Sequence, residues 1–118
     1  MIDPPWKAAL PVSVAVYNAE YLLSLRSPDA PVTITGSVGS IVTKMIEMFN
    51  APDDMFVRIG DIARADPTTR TETLDGKTYW EQLKALIQRS NREMQTRAVK
   101  DSGGRLVIYL DIAQRIGI

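Results

Sequence analysis

Five basic residues, Arg89, Arg92, Arg97, Lys100 and Arg105, crowd the last third of the sequence, with only Glu93 and Asp101 against them. Cations at that density can neutralise phosphates, the interaction on which nucleic-acid affinity largely rests. They can equally lay their stems along apolar surface and keep their heads in water. A second candidate is Thr35-Gly36-Ser37-Val38-Gly39-Ser40, whose small residues at a helix start could offer backbone amides to a phosphate. It has neither the glycine spacing of a dinucleotide site nor the Gly-Lys-Ser/Thr ending of a phosphate loop, and Lys44 comes a turn too late. It reads as a helix cap. Asp53, Asp54, Asp61 and Asp66 could in principle hold a hard cation or share a proton, but they match no calcium-loop spacing. Ser40 and Lys44 are one residue too far apart for the Ser-x-x-Lys of an acylating serine enzyme.

What is missing narrows the chemistry further. The 118 residues include no histidine and no cysteine. The commonest general base, the commonest zinc ligand and all thiolate chemistry are thereby removed. No catalytic residue, metal site or cofactor is expected, and the chain reads as a binding protein rather than an enzyme. With 45% hydrophobic and 24% charged residues it has the composition of a folded domain, and its length fits one compact domain over residues 1–118. Formal net charge is zero, yet three basic residues face six acidic ones up to Asp54, and eleven face eight beyond it. Ala8 to Val16 resembles the middle of a signal peptide, but Asp3, Pro4 and Pro5 precede it and Lys7 is its only basic flank. No run reaches the ~20 apolar residues of a membrane span, so a cytoplasmic location without a membrane partner is expected.

The elements that would position these residues follow from periodicity. Leu10, Val14, Tyr17, Tyr21 and Leu25 recur at helical spacing, predicting a helix over 11–26; alternating Val12, Val14 and Val16 leave a strand at 12–17 as the rival reading. Val38, Ile41, Val42, Met45, Met48 and Phe49 predict a second helix over 37–50, stopped before Pro52. Phe56 to Ile59 could be a short strand and Asp61 to Arg64 the start of a helical turn. Residues 65–77 are polar, hold Pro67 and Asp75-Gly76, and read as a surface loop. Thr78 and Glu81 form a capping box that opens a third helix over 78–92.

Beyond it, alternation over 94–100 and 105–111 around Asp101-Ser102-Gly103-Gly104 predicts a β-hairpin. For Thr96 and Ala98 to share a face with Ile108 and Leu110, paired residue numbers must sum to an even value. That requires a loop of odd length. A Ser102–Gly104 loop with Gly104 at positive φ satisfies it, and places Ala98 opposite Ile108 and Arg97 opposite Tyr109. The fold class is therefore α+β: about three helices (11–26, 37–50, 78–92) on a small antiparallel sheet that includes the C-terminal hairpin (94–100, 105–111).

The succession of a first helix over 37–50, the start of a second helix at Ile59 to Arg64, helix 78–92 and hairpin 94–111 resembles the order of elements in winged-helix DNA-binding domains. The resemblance implies that helix 78–92 enters the major groove and the hairpin acts as the wing, with Arg89, Arg92, Arg97, Lys100 and Arg105 on duplex DNA. The long stretch 65–77 and the presence of Trp80 and Glu81 at the start of the recognition helix depart from that pattern.

The favoured reading is a homo-oligomer, most simply a homodimer. Its N-terminal helix would meet a second copy through Val14, Tyr17, Tyr21 and Leu25. Met45, Phe49, Tyr79 and Trp80 are the candidate lining of a small-molecule pocket. Nucleic acid is the alternative partner.

Overall fold

A computed structural model of the chain describes residues 19–114. Within them lie three helices and five strands: α1 (19–24), β1 (Val32–Gly36), α2 (Val38–Asn50), β2 (Val57–Ile59), β3 (Arg70–Leu74), α3 (Tyr79–Arg89), β4 (Arg92–Lys100) and β5 (Leu106–Gln114). β1 and β3 form a two-stranded antiparallel sheet; β2, β5 and β4 form a three-stranded sheet in that order. The α+β class and the C-terminal antiparallel hairpin are as the sequence predicts.

The hairpin follows the parity argument residue by residue. Arg97 lies opposite Tyr109 and Ala98 opposite Ile108. The Asp101 amide donates to the Arg105 carbonyl at 2.8 Å, the Gly104 amide to the Asp101 carbonyl at 3.0 Å, and Gly104 has φ +80°. Both strands run further than expected, because Asn91 at φ 60° turns the chain directly from the end of α3 into Arg92. The third helix accordingly ends at Arg89 rather than 92. Its start is capped as predicted, with the Thr78 hydroxyl accepting from the Glu81 amide at 3.2 Å. Gln82 is buried and donates to the Lys77 carbonyl at 2.9 Å.

Two expectations for the middle of the chain are corrected. Residues 70–74, read as loop, form β3, with Thr33 facing Thr73 and Thr35 facing Thr71 across the sheet; the paired hydroxyls are 3.2 and 2.9 Å apart. β-branched threonines on alternate positions give that strand one exposed polar face, while Leu74 is buried on the other. The second helix of a helix-turn-helix does not form at Ile59 to Arg64. Ile59 ends β2, and the following turn closes with a single bond from the Ala65 amide to the Ile62 carbonyl. Asp66-Pro67 follows directly, and proline disfavours helical geometry in the residue before it.

The core forms where α2 and α3 meet the inner face of the three-stranded sheet. Val38, Ile41, Val42, Met45, Ile46 and Phe49 line one side of α2 and are all buried, against Leu83, Leu86 and Ile87 of α3 and Val57, Ile108, Leu110 and Ile112 of the sheet. Each fully buried side chain of this size contributes about 1.5–3 kcal/mol. Asn50, the last residue of α2, fixes β2: its side chain donates to the Val57 carbonyl at 2.8 Å and accepts from the Met55 amide at 3.1 Å. Of the helix expected over 11–26, residues 19–24 form α1; residues 11–18, with the rival strand at 12–17, lie outside the described residues.

Candidate interaction site

α1 is oriented by its inward residues. Ala19 and Leu23 are wholly buried, which turns Tyr21 (65% exposed) and Leu25 (52% exposed) outward on the same side, four residues apart. Arg26 locks that orientation. Its guanidinium donates to the carbonyls of Phe49 at 2.6 Å and Asp53 at 2.7 Å and lies 5.4 Å from the Phe49 ring centre, while its own carbonyl accepts from the Tyr79 amide at 3.0 Å. α1 is thus tied to the C-terminus of α2 and the N-terminus of α3. Leu25 also borders a hollow of about 430 Å³ with Arg26, Asp29, Met48 and Tyr79. Of the expected self-contact stripe, Tyr21 and Leu25 are therefore exposed side by side; Val14 and Tyr17 lie outside the described residues.

Among the described residues, the hollows found at Met45, Tyr79 and Trp80 are three different ones. Met45 and Phe49 are wholly buried and Tyr79 nearly so, with the Phe49 and Tyr79 rings packed edge to face at 5.7 Å. Trp80 is half-buried elsewhere, lining a hollow of about 310 Å³ between α3 and the start of β4 with Ile87 and Met94. Helical periodicity identified these as apolar positions but could not say which would be consumed by the core.

The basic residues are distributed among different tasks. Arg89 pairs with Glu72 at 2.9 Å, and Arg92 donates to the carbonyls of Arg64, Ser90 and Asn91. Arg97 grips Asp111 with two bonds of 2.8 and 3.3 Å and lies 4.9 Å from the Tyr109 ring centre. Lys100 is exposed, and Arg105 lies 4.1 Å from the Phe56 ring centre.

Sequence reasoning missed what organises this outer face. Asp111 also accepts from the Asp61 amide at 2.7 Å. Burial pushes its carboxyl upward, but the bonds from Arg97 and the Asp61 amide outweigh this and hold it below the ordinary carboxylate value. Gly60 makes room for the clamp, since a Cβ there would collide with the Asp111 carboxylate and the Arg97 guanidinium. Phe56 sits at φ 59°, its amide donating to Asp54 and its ring facing both Arg58 and Arg105. Hydrogen bonds from Arg58 and the Phe56 amide lower the Asp54 pKa to about 2. Hairpin parity already put Asp111 and Arg97 on one face; nothing in the sequence placed Phe56 there.

The remaining candidate groups are engaged locally. The carboxylates of Asp53, Asp54 and Asp66 lie by Arg26, Arg58 and Arg70, and that of Asp61 accepts from the Ala63 amide. Bonds from the amide and hydroxyl of Thr68 and from Arg70 bring Asp66 to a pKa of about 2. Among the described residues no three acidic side chains gather as metal ligands. At the start of α2, the Val38 amide donates to the Asp66 carbonyl and the Ser40 amide to the Ser37 hydroxyl, so these two donors are already taken. Among the described residues no helix is long and apolar enough to cross a membrane. No protein-family model, curated protein or solved structure matches the chain.

Proposed function

We propose that the chain is a non-enzymatic binding module that assembles with a second copy of itself through the stripe carried by Tyr21 and Leu25. The observation behind this reading is their placement. Tyr21, Leu25 and Val99 are the large apolar side chains left exposed among the described residues, and two of the three stand four residues apart, Tyr21 on α1 and Leu25 directly after it. Joining such stripes in a symmetric pair removes apolar surface from water at both copies with one self-complementary patch. The lack of histidine and cysteine and the local engagement of the carboxylates support binding over catalysis. Sedimentation velocity of the full chain at tens of micromolar should report self-association, and Tyr21→Ser with Leu25→Ser should lower the size of the assembly. A monomeric wild type, unaltered by the double substitution, would sink the reading.

A DNA-binding role draws support from Lys100 and Arg105 at the hairpin tip, which form no ion pair among the described residues. It draws less from Arg89, Arg92 and Arg97, each of which already spends part of its donors within the chain, Arg97 keeping its Nη1 free of hydrogen bonds among the described residues. Its test is a duplex gel shift at low salt, where Lys100→Ala with Arg105→Ala should weaken binding. No shift by the wild type would end it.

A further inference from the structure

β4 is nine residues long and, among the described residues, carries a strand on one side only. Hydrogen-bonding parity identifies what its other side offers. The amides of Ile108 and Ile112 donate to the Phe56 and Asp61 carbonyls and the Leu110 carbonyl accepts from Gly60, so even-numbered residues of β5 face β2. Its odd-numbered residues therefore face β4, where Val107, Tyr109 and Asp111 pair with Val99, Arg97 and Gln95. That turns the amides and carbonyls of Arg92, Met94, Thr96 and Ala98 toward the open edge. Such an edge is a template for another strand.

The side chains on that edge select the occupant. On the outer face run Glu93, Gln95, Arg97 and Val99, all exposed, and Glu93 forms no ion pair among the described residues. If a second β4 lies antiparallel with the two-fold axis at Gln95, Glu93 of each copy faces the partner's Arg97, and the two Gln95 side chains face each other. On the inner face Met94 then adjoins the partner's Thr96, and Arg92 the partner's Ala98. Neighbouring registers lose this match. Centring on Arg97 sets two arginines opposite each other, centring on Thr96 sets Arg92 against the partner's Lys100, and centring on Met94 forms no opposite-charge pair. Like charges directly opposed across a sheet are destabilising and opposite ones stabilising. Of the registers centred between Glu93 and Arg97, this one alone opposes unlike charges.

We propose that β4 pairs antiparallel with β4 of a second copy about a two-fold axis at Gln95, joining two three-stranded sheets into one of six strands. The proposal shares with the self-association reading only the identity of the partner, since it uses a different surface from Tyr21 and Leu25. Because even-numbered residues make the new backbone bonds, the two Gln95 residues form a non-hydrogen-bonded pair with Cα atoms about 4.5 Å apart, within the span of a disulfide.

The sequence has no cysteine, so a thiol introduced there reports without interference. Under mild oxidation the Gln95→Cys chain should form a covalent dimer about tenfold faster than the Val99→Cys chain, whose position faces Asn91 in this register. Adding Glu93→Lys to Gln95→Cys should slow cross-linking several-fold by opposing two cations at each end. The Gln95 preference should persist in a Tyr21→Ser plus Leu25→Ser background, so strand contact and helix stripe fail or survive separately. Equal rates at 95 and 99 would overturn the proposal. So would protection of the Met94, Thr96 and Ala98 amides from exchange that is unchanged on dilution and unaccompanied by cross-linking, which assigns the edge to another segment of the same chain.

Discussion

The two sheets are built by opposite strategies. In the β4–β5 pair, strands adjacent in sequence are joined by a three-residue loop, and every cross-strand partner follows from one turn. In the β1–β3 pair, Val32 meets Leu74 across a stretch of chain that contains all of α2 and β2. The first closes a short loop; the second closes a long one, at a greater cost in chain entropy. The inner faces differ accordingly. On its inner face β5 buries Ile108, Leu110 and Ile112, whereas β3 buries Leu74 alone. The three-stranded sheet is part of the core, and the two-stranded sheet is attached to it.

The sharpest way to break that comparison is to empty the centre of the larger sheet. Leu110 is 1% exposed and lies between Ile59 and Thr96 on its neighbouring strands. Leu110→Ala should cost about 2–5 kcal/mol in chemical denaturation, from lost burial and the cavity left behind. Ile34→Ala in β1, at a half-buried position, should cost distinctly less. Equal losses would show that the two sheets share the core evenly.

A smaller effect is expected at the join between β2 and β5. Gly60→Ala places a methyl group against the Asp111 carboxylate and Arg97 guanidinium and should cost about 1–3 kcal/mol, as overpacking does. Because the Gly60 amide bonds the Leu110 carbonyl at 2.8 Å, exchange of β2 and central β5 amides should accelerate while β1–β3 is unaffected. Uniform acceleration in both sheets would contradict their separate attachment.

What the sequence revealed follows the same division. The hairpin was legible because unbroken alternation and Asp101-Ser102-Gly103-Gly104 lie within one window of chain. α2 was legible because its apolar positions recur at helical spacing and Pro52 ends them. β3 was hidden by Pro67 and Asp75-Gly76, which are true turn signals on either side of it, and by threonines whose partners, Thr33 and Thr35, lie far upstream. For the interaction site, periodicity put Tyr21 and Leu25 on one stripe but could not say that Ala19 and Leu23 would take the inward side. Nor could it anticipate that Met45, Phe49 and Tyr79 would be spent in the core, or that Phe56 would adopt positive φ beneath two guanidinium groups.

Acid should loosen both sheets at a homologous point. Asp54 precedes β2 and Asp66 precedes β3, and each carboxyl has its pKa lowered from 3.8 to about 2. A depressed carboxylate pKa adds stability that is fully present above the ordinary value and is lost as pH falls through the folded one. The window is therefore pH 4 down to pH 2. Both carboxylates are solvent-accessible, so the effect should be modest and reduced by salt. Asp54→Asn should remove the part read at β2 amides, and Asp66→Asn the part read at β3 amides. A pH profile over that window unchanged in both variants would show that neither bond set holds its strand.

The smallest expected effect isolates the threonine face of β1 and β3. Thr35 and Thr71 are directly opposed with hydroxyls 2.9 Å apart and exposed. A double-mutant cycle of Thr35→Ala and Thr71→Ala should give a coupling energy of about 0.2–1 kcal/mol, typical of cross-strand pairs. Water competes for both hydroxyls, which caps the value. If the cycle returns no coupling, β-branching alone keeps β3 extended, and the attachment of the smaller sheet then rests on Leu74 and the Asp66–Arg70 pair. Coupling within the expected range instead makes the hydroxyl pair a local guide to register, the role that the three-residue turn plays for β4 and β5.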